Sequence, residues 1–312
     1  MNKKRALLLG GSGGLSSVVA KKAMAAGYDV WAVTRGIREL PEGVHSIIAD
    51  RNDVPEFEKK LLNEKMTWDV VFDCICMNSE QASQDIAILS KVSSRLIVVS
   101  TDSVYDPYHK KTPQTEEGIF IEEEGPTSKV SYGCNKRRME LAFLEEMEKD
   151  EPALRITIFR PGHIYGPGFL LGCFPENSRQ KGLPQHILEG KPVKLVGMGT
   201  YLIHPIYVDD LARVMVDCAE NEKTYDQIFC IGGPESVENR LYYEEIAKVL
   251  GVPLHLEEVP LQGYLERHPE YSGHLCHRIY DLGKLKAAGM ELPATHLAEG
   301  IRAHVNWLMA EE

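Results

Sequence analysis

Short apolar segments alternate with segments of helical periodicity along the first half of the chain. Apolar runs of strand length occupy residues 5–11, 28–35, 45–50, 68–76, 94–101 and 154–161. The segments with a helical pattern between them are 15–27, 54–65, 79–92 and 132–149. Near-continuous apolar strands separated by helices are typical of a parallel sheet with helices on both faces. The pattern therefore predicts an α/β fold built on a doubly wound parallel sheet.

The pattern changes after Pro161. Glycine and proline become frequent and regular periodicity is lost, before strand and helix patterns return further along the chain. We therefore predict a smaller C-terminal lobe that binds the substrate. Residues 1–161 would form the sheet domain, with 204–233 returning to it, and 162–203 and 234–312 would form the lobe.

The composition limits the partners that this chain of 312 residues can have. Its net charge is −11, from 46 acidic and 35 basic residues, whereas nucleic-acid binding needs a basic face. No apolar run approaches the roughly 18 residues that a membrane span needs. The seven cysteines contain no Cys-x-x-Cys pair and no metal-ligand spacing. We therefore predict a reduced, cytoplasmic protein with a small-molecule substrate and without metal, nucleic-acid or membrane partners.

A glycine-rich loop lies between the first predicted strand and the first predicted helix. It comprises Gly10, Gly11, Ser12, Gly13, Gly14, Leu15 and Ser16. Glycines in this context let the backbone approach a pyrophosphate, and the helix N-terminus supplies N–H groups and a positive dipole. The loop predicts a dinucleotide-binding site of Rossmann type, and a tight turn without a ligand is the alternative. Ser16 replaces a third glycine, whose role is helix–strand packing.

The ends of the second and third predicted strands favour NADP over NAD. An NAD enzyme usually presents an acidic residue after the second strand to bind the ribose 2′-hydroxyl, whereas an arginine accommodates a 2′-phosphate. Thr34 and Arg35 stand at this point, with Arg38 close by. We predict NADP as the preferred cofactor, with NAD as the alternative. Asp50, after the third strand, is placed to meet the adenine edge.

Tyr132 and Lys136 form a Tyr-x-x-x-Lys pattern at the start of the long predicted helix. At a spacing of four residues both side chains emerge from one face of a helix, one turn apart. An ammonium group near a phenol favours the phenolate and lowers the pKa of the tyrosine. The pair therefore predicts Tyr132 as a general acid/base.

Taken jointly, these motifs resemble those of the extended and atypical short-chain dehydrogenases/reductases of the NAD(P)-dependent epimerase/dehydratase family. The matching segments run almost end to end, and they read GGSGGLSS, ADRND, STDSVYD, YGCNK, RPGHIYGPG, IYVDDLA and YDLGKLKAAGMELPATHLAEGIRAHVNWL. The resemblance implies hydride transfer at a hydroxyl or keto group of a sugar-like substrate, by an epimerase or by a reductase or dehydrogenase. It also implies a homodimer formed through the helices near 79–92 and 131–148.

The resemblance also assigns roles to individual residues. Thr101 would hydrogen-bond the substrate oxygen, Tyr132 would exchange the proton, and Lys136 would bind the nicotinamide ribose. The predicted cofactor-binding set is completed by Arg51, Cys76, Ser100, Arg160, Pro161 and Gly162, of which the last three would close the nicotinamide pocket.

One departure from the family pattern concerns the reaction. Sugar-nucleotide dehydratases of this family carry Thr-Asp-Glu where this chain has Thr101, Asp102 and Ser103. A serine hydroxyl is not a general base unless another group activates it, so dehydration is disfavoured. A dehydratase that uses Asp102 alone stays a narrower alternative, and a turn cap is the structural role open to Asp102.

A second departure concerns the substrate. Family members that bind nucleotide diphosphates usually carry an arginine shortly before the Val-Asp-Asp motif, and here Ile203 and His204 stand in that region. Arg267 or Arg278 would have to serve as the second phosphate-binding arginine. A nucleotide sugar is therefore one option among sugar-like substrates.

A different class of function stays open beside the enzyme. The related chloroplast stem-loop-binding proteins bind RNA, and some members of the superfamily only sense the cofactor. The alternative is thus a non-catalytic nucleotide-sensing or RNA-binding protein. The intact set of Thr101, Tyr132 and Lys136 and the acidic charge balance oppose it.

Overall fold

The computed structural model describes residues 3–122 and 132–311. Its strands are β1 (Arg5–Leu9), β2 (Asp29–Thr34), β3 (His45–Ile48), β4 (Val70–Asp73), β5 (Arg95–Val99), β6 (Arg155–Pro161), β7 (Ile164–Tyr165), β8 (Val193–Val196), β9 (Leu202–Ile203), β10 (Ile206–Tyr207), β11 (Gln227–Ile231), β12 (Val237–Glu238) and β13 (Leu256–Val259). Its helices are α1 (Gly14–Ala25), α2 (Val54–Asn63), α3 (Ser79–Leu89), α4 (Tyr132–Met147), α5 (Leu183–Leu188), α6 (Val208–Asp217), α7 (Asn239–Leu250), α8 (Tyr264–Arg267), α9 (Gly283–Ala287) and α10 (Leu297–Glu311).

Seven strands form one sheet in the order β11-β6-β5-β4-β1-β2-β3, and every neighbouring pair is parallel. The chain proceeds outward from β1 in one direction to β3 and then in the other direction from β4 to β11. The predicted doubly wound parallel sheet is therefore confirmed. Ligands of such sheets bind beyond the carboxyl ends of the strands at the point where the winding reverses, which here lies between β1 and β4.

Helices cover both faces of this sheet because its strands are apolar on both sides. On one face α1 and α6 contribute buried residues such as Val19, Leu211 and Met215. On the other face α2, α3 and α4 contribute buried residues that include Phe57 and Phe143. The helix α6 was not predicted from the sequence. Its first three residues are the Val-Asp-Asp motif.

A third apolar core lies in the C-terminal part of the chain. The helices α7 and α10 pack together in it, through residues that include Tyr242, Ile246, Ile301 and Val305. The short pairs β8–β13 and β9–β12 border it. Meanwhile β11 returns to the edge of the large sheet beside β6. The division of the chain into the two predicted domains stays a prediction.

In the part of the chain that the structure describes, no helix combines the length and the apolar character that crossing a membrane requires.

Candidate active site

The carboxyl ends of β1 and β2 open onto a cavity of about 520 Å³. Its lining contains the residues predicted to bind the dinucleotide at Gly10, Ser12, Gly13, Thr34, Arg35, Asp50 and Arg51. It also contains Ile37, Arg38, Asn52, Ile75 and Gln81. The cavity thus lies at the reversal of strand order, where a doubly wound sheet binds its ligands.

The glycine-rich loop shapes one wall of this cavity. Gly10 and Gly11 have positive φ angles of 104° and 121°, which side chains rarely adopt. The Ser16 hydroxyl accepts hydrogen bonds from the N–H groups of Gly11, at 2.9 Å, and Gly13, at 3.1 Å. Ser16 therefore does more than replace a packing glycine, because it fixes the curvature of the loop.

The backbone at the start of α1 fits a pyrophosphate. Within residues 3–122 and 132–311, no protein acceptor engages the N–H groups of Ser12, Gly14 or Leu15. These donors lie at a helix N-terminus, where the helix dipole favours negative charge. The buried Ser100 hydroxyl, at the end of β5, likewise has no partner among the described residues. The residues present therefore fit a dinucleotide.

The adenosine end of the cavity is locally basic. Arg35 and Arg38 are exposed and line it, and neither forms an ion pair with any residue that the structure describes. Thr34, rather than an acidic residue, ends β2. Asp50 also lines the cavity, and its carboxylate accepts the N–H of Asn52 at 2.9 Å.

Arg51 has a structural role that the sequence did not indicate. Its guanidinium donates to Asp73 at 2.8 Å and to Asp85 at 2.9 Å, and all three side chains are buried. Asp73 in turn accepts the N–H groups of Ile75 and Cys76. Arg51 lines the cavity, so its predicted role in binding the cofactor stays a prediction, while its ion pair with Asp73 orders the loop after β4.

The predicted catalytic hydroxyls meet where α4 begins. A Cβ atom at Gly133 would lie 2.3 Å from the carbonyl oxygen of Ser103, so only glycine permits this close approach. The approach places Tyr132 close to Thr101, whose hydroxyl acts to lower the pKa of the tyrosine. Thr101 Oγ1 also accepts the N–H of Ser103 at 3.2 Å, which orients it at the end of β5.

Lys136 lies on the same face of α4 as Tyr132, with its Nζ 6.0 Å from the centre of the tyrosine ring. The ammonium group is buried and donates to the carbonyl oxygens of Cys76, at 2.6 Å, and Val99, at 2.8 Å. Burial lowers the pKa of Lys136. The structure therefore brings Thr101, Tyr132 and Lys136 together from β5 and α4, beside the buried Cys76.

The groups that act on the pKa of Tyr132 in this structure differ from the predicted one, and the effect of Lys136 stays a prediction. Burial raises the pKa of Tyr132 above its ordinary value, and Asp102 adds to that effect. The groups that oppose the rise are the Thr101 hydroxyl and the Arg179 guanidinium, not Lys136. Tyr132 therefore holds its proton at neutral pH. The cation that lowers the pKa of Tyr132 is Arg179, which lies in a part of the chain that has no family motif.

Asp102 is held in a buried cluster rather than presented to the cleft. Its Oδ2 accepts from the Tyr280 hydroxyl and, at 3.3 Å, from Arg278. Its Oδ1 lies 3.4 Å from Thr101 Oγ1 and 3.5 Å from Ser103 Oγ. The Arg278 guanidinium is buried against this carboxylate, and its suggested role in binding a phosphate stays a prediction.

The charge of Asp102 is stabilised within this cluster. Burial favours the neutral carboxyl group, but Arg278, Lys110 and the Tyr280 hydroxyl together hold its pKa below the ordinary value. Asp102 is therefore an anion that ties the end of β5 to the segment around residue 280.

The Arg160 side chain has a structural role that the sequence did not indicate. Its guanidinium forms two hydrogen bonds with Glu140, at 2.9 and 2.8 Å, and donates to the Tyr105 hydroxyl. The side chain is fully buried in this arrangement, so Arg160 can close a nicotinamide pocket only through its backbone. Pro161 ends β6, and Gly162 lies against the carbonyl oxygen of His204.

Sequence reasoning missed the partners that arrive from distant parts of the chain. Tyr280 and Arg278 are 178 and 176 residues from Asp102, so no local spacing could indicate the cluster. Arg179 carried no signal either, because it lies in the segment without regular periodicity. His204 has a packing role, because its ring stacks on Tyr280 and both ring nitrogens bond to backbone groups.

The chain resembles several proteins of known activity. Among curated proteins, it is 23% identical over 270 residues to the chloroplastic divinyl chlorophyllide a 8-vinyl-reductase of Arabidopsis thaliana, which covers 82% of this chain. The chain spans about 60% of the length of that relative.

Solved structures share its fold. The UDP-N-acetylglucosamine 4-epimerase from Methanobrevibacter ruminantium M1, in complex with UDP-N-acetylmuramic acid, superposes with a TM-score of 0.80 at 19% identity over 100% of both chains. MoeE5 in complex with UDP-glucose and NAD superposes with a TM-score of 0.76 at 20% identity over 98% of this chain and 99% of its own.

The family model described as the NAD dependent epimerase/dehydratase family matches residues 6–232, which is most of the chain. This match agrees with the doubly wound sheet, the glycine-rich loop and the residues at the ends of β5 and α4. The chain belongs to the NAD-dependent epimerase/dehydratase family.

Proposed function

We propose that this protein is an NADP-dependent epimerase or reductase that acts on a hydroxyl or keto group of a sugar-like substrate. The observation that carries the proposal is the meeting of Thr101, Tyr132 and Lys136 where β5 ends and α4 begins, on the same sheet whose β1 and β2 open onto the cavity. The sugar-like substrate is proposed from the solved relatives, since MoeE5 is found with UDP-glucose and an archaeal relative with UDP-N-acetylmuramic acid.

Each residue of the trio would have a distinct task. The nicotinamide, when bound, supplies the hydride donor or acceptor. Thr101 holds the substrate oxygen near Tyr132, and Tyr132 transfers the proton at its hydroxyl. A tyrosine hydroxyl carries its proton at neutral pH, so Tyr132 can donate that proton to a carbonyl oxygen when a keto group gains a hydride.

Lys136 would hold the nicotinamide ribose in position rather than exchange a proton with the substrate. Its Nζ already bridges the strand ends at Cys76 and Val99, which places one ammonium group between the cofactor cavity and Tyr132. The remaining proton of the ammonium group makes only a long contact, of 3.9 Å, with Met139 Sδ among the described residues, and a ribose hydroxyl is a better acceptor than this thioether. This arrangement supports its role as the residue that binds the nicotinamide ribose.

The proposed preference for NADP rests on Arg35 and Arg38. Both guanidinium groups line the cavity without a carboxylate partner among the described residues, next to Thr34 at the end of β2. A 2′-phosphate would give them a counter-ion, whereas a ribose 2′-hydroxyl would find no acidic acceptor at Thr34.

The dehydratase alternative receives no support from Asp102. A carboxylate that acts as a general acid or base must reach the substrate and exchange protons near working pH. Asp102 is buried, accepts hydrogen bonds at Oδ2 and has a lowered pKa. We therefore assign it a positioning role.

Turnover tests the proposal. The protein would be incubated with NADPH and oxidised sugar nucleotides, and with NADP⁺ and the parent sugars, while the absorbance of the reduced nicotinamide and the product are followed. We expect turnover in at least one pair, a loss of about 10²-fold or more in Tyr132→Phe, and a similar loss in Thr101→Val. Equal activity of Tyr132→Phe and the wild type would contradict the assignment, and so would release of a 4-keto-6-deoxy product.

A further inference from the structure

A turn at residues 166–169 packs directly on the start of α1, where the predicted pyrophosphate donors lie. A Cβ atom at Gly14 would lie 2.8 Å from the carbonyl oxygen of Gly168 and 2.8 Å from the Phe169 ring. A Cβ atom at Gly168 would lie 3.0 Å from the Cα atom of Gly14. Because no side chain separates the two backbones, a shift of the turn changes the surroundings of the Gly14 N–H group directly.

The turn has few internal contacts that fix its conformation. Gly166 and Gly168 have positive φ angles of 130° and 92°, and glycine loses more conformational freedom on folding than any other residue. The N–H of Phe169 donates to the carbonyl oxygen of Gly166 at 3.2 Å, which closes the turn. One such bond orders the turn itself but does not attach it to α1. The position of the turn therefore depends on contacts from other parts of the fold.

His304 on α10 bonds to both ends of this turn. Its Nδ1 accepts the N–H of Gly166 at 3.2 Å, and its Nε2 lies 2.8 Å from the carbonyl oxygen of Phe169. Because Nδ1 is an acceptor here, the ring proton is on Nε2 and is donated to Phe169. The imidazole is fully buried, so water does not compete for either bond. One neutral side chain thus fixes the first and the last residue of the turn.

The helix that carries His304 is itself held firmly in the fold. Ile301 and Val305 of α10 are buried in the third apolar core. Gly300 lies against the ring of Tyr165, the residue just before the turn. The whole of α10 follows residue 232, where the match to the family model ends. His304 therefore connects a well-packed helix outside the family match to the loop at which the cofactor is expected.

We propose that His304 is a positioning residue of the cofactor site, which holds the turn at 166–169 against the start of α1. The turn in turn keeps the N–H groups at the start of α1 in place for the pyrophosphate of NADP. The inference rests on the proposed function, because it takes the glycine-rich loop as the binding site of that pyrophosphate. It gives the C-terminal helix a part in cofactor binding that requires no contact between His304 and the cofactor.

Fluorescence titration with NADPH tests this inference with variants on both sides of the contact. His304→Leu removes both hydrogen bonds, whereas His304→Gln keeps an amide that can accept and donate. Phe169→Leu removes the ring that lies on Gly14 and leaves His304 in place. Val305→Ala is the control, because it deletes buried apolar volume from the same helix and changes no polar atom. Thermal unfolding of each variant shows that the titrated protein is folded.

We expect the Kd of NADPH to rise about tenfold in His304→Leu, because the turn no longer holds the start of α1 in place. The rise should be smaller in His304→Gln, and Val305→Ala should bind NADPH as the wild type does. Phe169→Leu should also raise the Kd. The double variant His304→Leu/Phe169→Leu should bind no more weakly than His304→Leu, since both substitutions act through the same turn.

Three results would overturn the inference: an unchanged Kd in His304→Leu, an equal rise in Val305→Ala or His304→Gln, or effects of His304→Leu and Phe169→Leu that multiply in the double variant. If His304→Leu does not fold, His304→Gln replaces it, and a Kd equal to that of the wild type then overturns the inference. Failure of the proposed function is distinguishable, because the wild type itself would not bind NADPH, and the inference would fall with it.

Discussion

Asp102 is a buried carboxylate next to Thr101, the residue proposed to hold the substrate oxygen. Its carboxylate is the acceptor for Tyr280 and Arg278, which come from near the end of the chain. The same carboxylate lies beside the Thr101 hydroxyl. The position of Thr101 therefore depends on a buried ion pair that connects the end of β5 to the C-terminal segment.

Replacing Asp102 by Asn should leave Arg278 buried without a counter-ion. Breaking a buried ion pair in this way costs about 3–5 kcal/mol, so we expect the free energy of unfolding of Asp102→Asn to fall by that amount. Urea unfolding measures it, and Asp150→Asn, at an exposed carboxylate, is the control. If the free energy of unfolding fell by less than about 1 kcal/mol, the ion pair of Asp102 and Arg278 would have the strength of a surface pair. That result would contradict a buried ion pair at Asp102.

The same ion pair has a defined pH dependence. The pKa of Asp102 is lowered in the folded protein, so its contribution is complete above the unfolded pKa of about 4 and is lost as the pH falls through the folded value. The unfolding free energies of wild type and Asp102→Asn should therefore converge below about pH 4. A constant difference between them down to acid pH would argue against an ionised Asp102.

At the scale of elements, the junction between the glycine-rich loop and α1 depends on Ser16. One hydroxyl accepts from two backbone N–H groups of the loop, those of Gly11 and Gly13. A glycine at this position would leave both donors without that acceptor. The loop of this protein is thus ordered by a side chain, while the neighbouring N–H groups stay available for phosphate oxygens.

Ser16→Ala should weaken cofactor binding and stability together. Leaving two donors unsatisfied costs about 1–3 kcal/mol of unfolding free energy, and we expect the Kd of NADPH to rise about tenfold. Fluorescence titration and urea unfolding measure the two effects. Ser17→Ala is the matched control, because the Ser17 hydroxyl makes only one long contact, of 3.4 Å, to Gly14. Equal Kd values for the two variants would show that Ser16 does not order the loop.

At the scale of the whole molecule, buried neutral histidines link the C-terminal helix to the rest of the fold. His304 on α10 accepts the N–H of Gly166 at Nδ1 and donates to the carbonyl of Phe169 at Nε2. The bond accepted at Nδ1 requires the neutral ring, because a protonated imidazole has no acceptor nitrogen. Burial lowers the pKa of His304 to about 4, and that of His274 to about 3.

These histidines predict a loss of stability in mild acid. The unfolded chain binds protons below about pH 6.5 while the folded histidines stay neutral, so the unfolding free energy falls as the pH drops toward about 4. Between about pH 7 and pH 5, His304 alone should account for about 2 kcal/mol. Urea unfolding across this range should show a flatter slope for His304→Gln and an unchanged slope for His255→Gln, at an exposed histidine. If the unfolding free energy of wild type, His304→Gln and His255→Gln fell equally steeply with pH, His304 would not be the buried neutral histidine responsible.

The sheet and the cofactor loop were predictable from the sequence because their signals are local. Apolar runs indicate buried strands, and a glycine-rich loop between a strand and a helix indicates a phosphate site. The roles of Arg51, Arg160 and Arg278 were not predictable, because each guanidinium is neutralised by carboxylates from other elements. The pKa of Tyr132 depends likewise on burial and on Arg179, which no spacing connects to it.

Several expectations about the whole molecule stay predictions. They are the homodimer through the helices near 79–92 and 131–148, the cytoplasmic location and the lack of a nucleic-acid partner. The segment at 123–131, which contains the first position of that second range, lies outside the described residues.

We propose above all that the cavity at the ends of β1 and β2 binds NADP within reach of Tyr132. Fluorescence titration of the purified protein with NADPH and with NADH tests it most directly, with Arg35→Ala and Arg38→Ala as variants. We predict that NADPH binds about tenfold or more tightly than NADH and that loss of Arg35 removes most of this preference. Failure to bind either nucleotide would contradict the cofactor site, and tighter binding of NADH would contradict the role of Arg35.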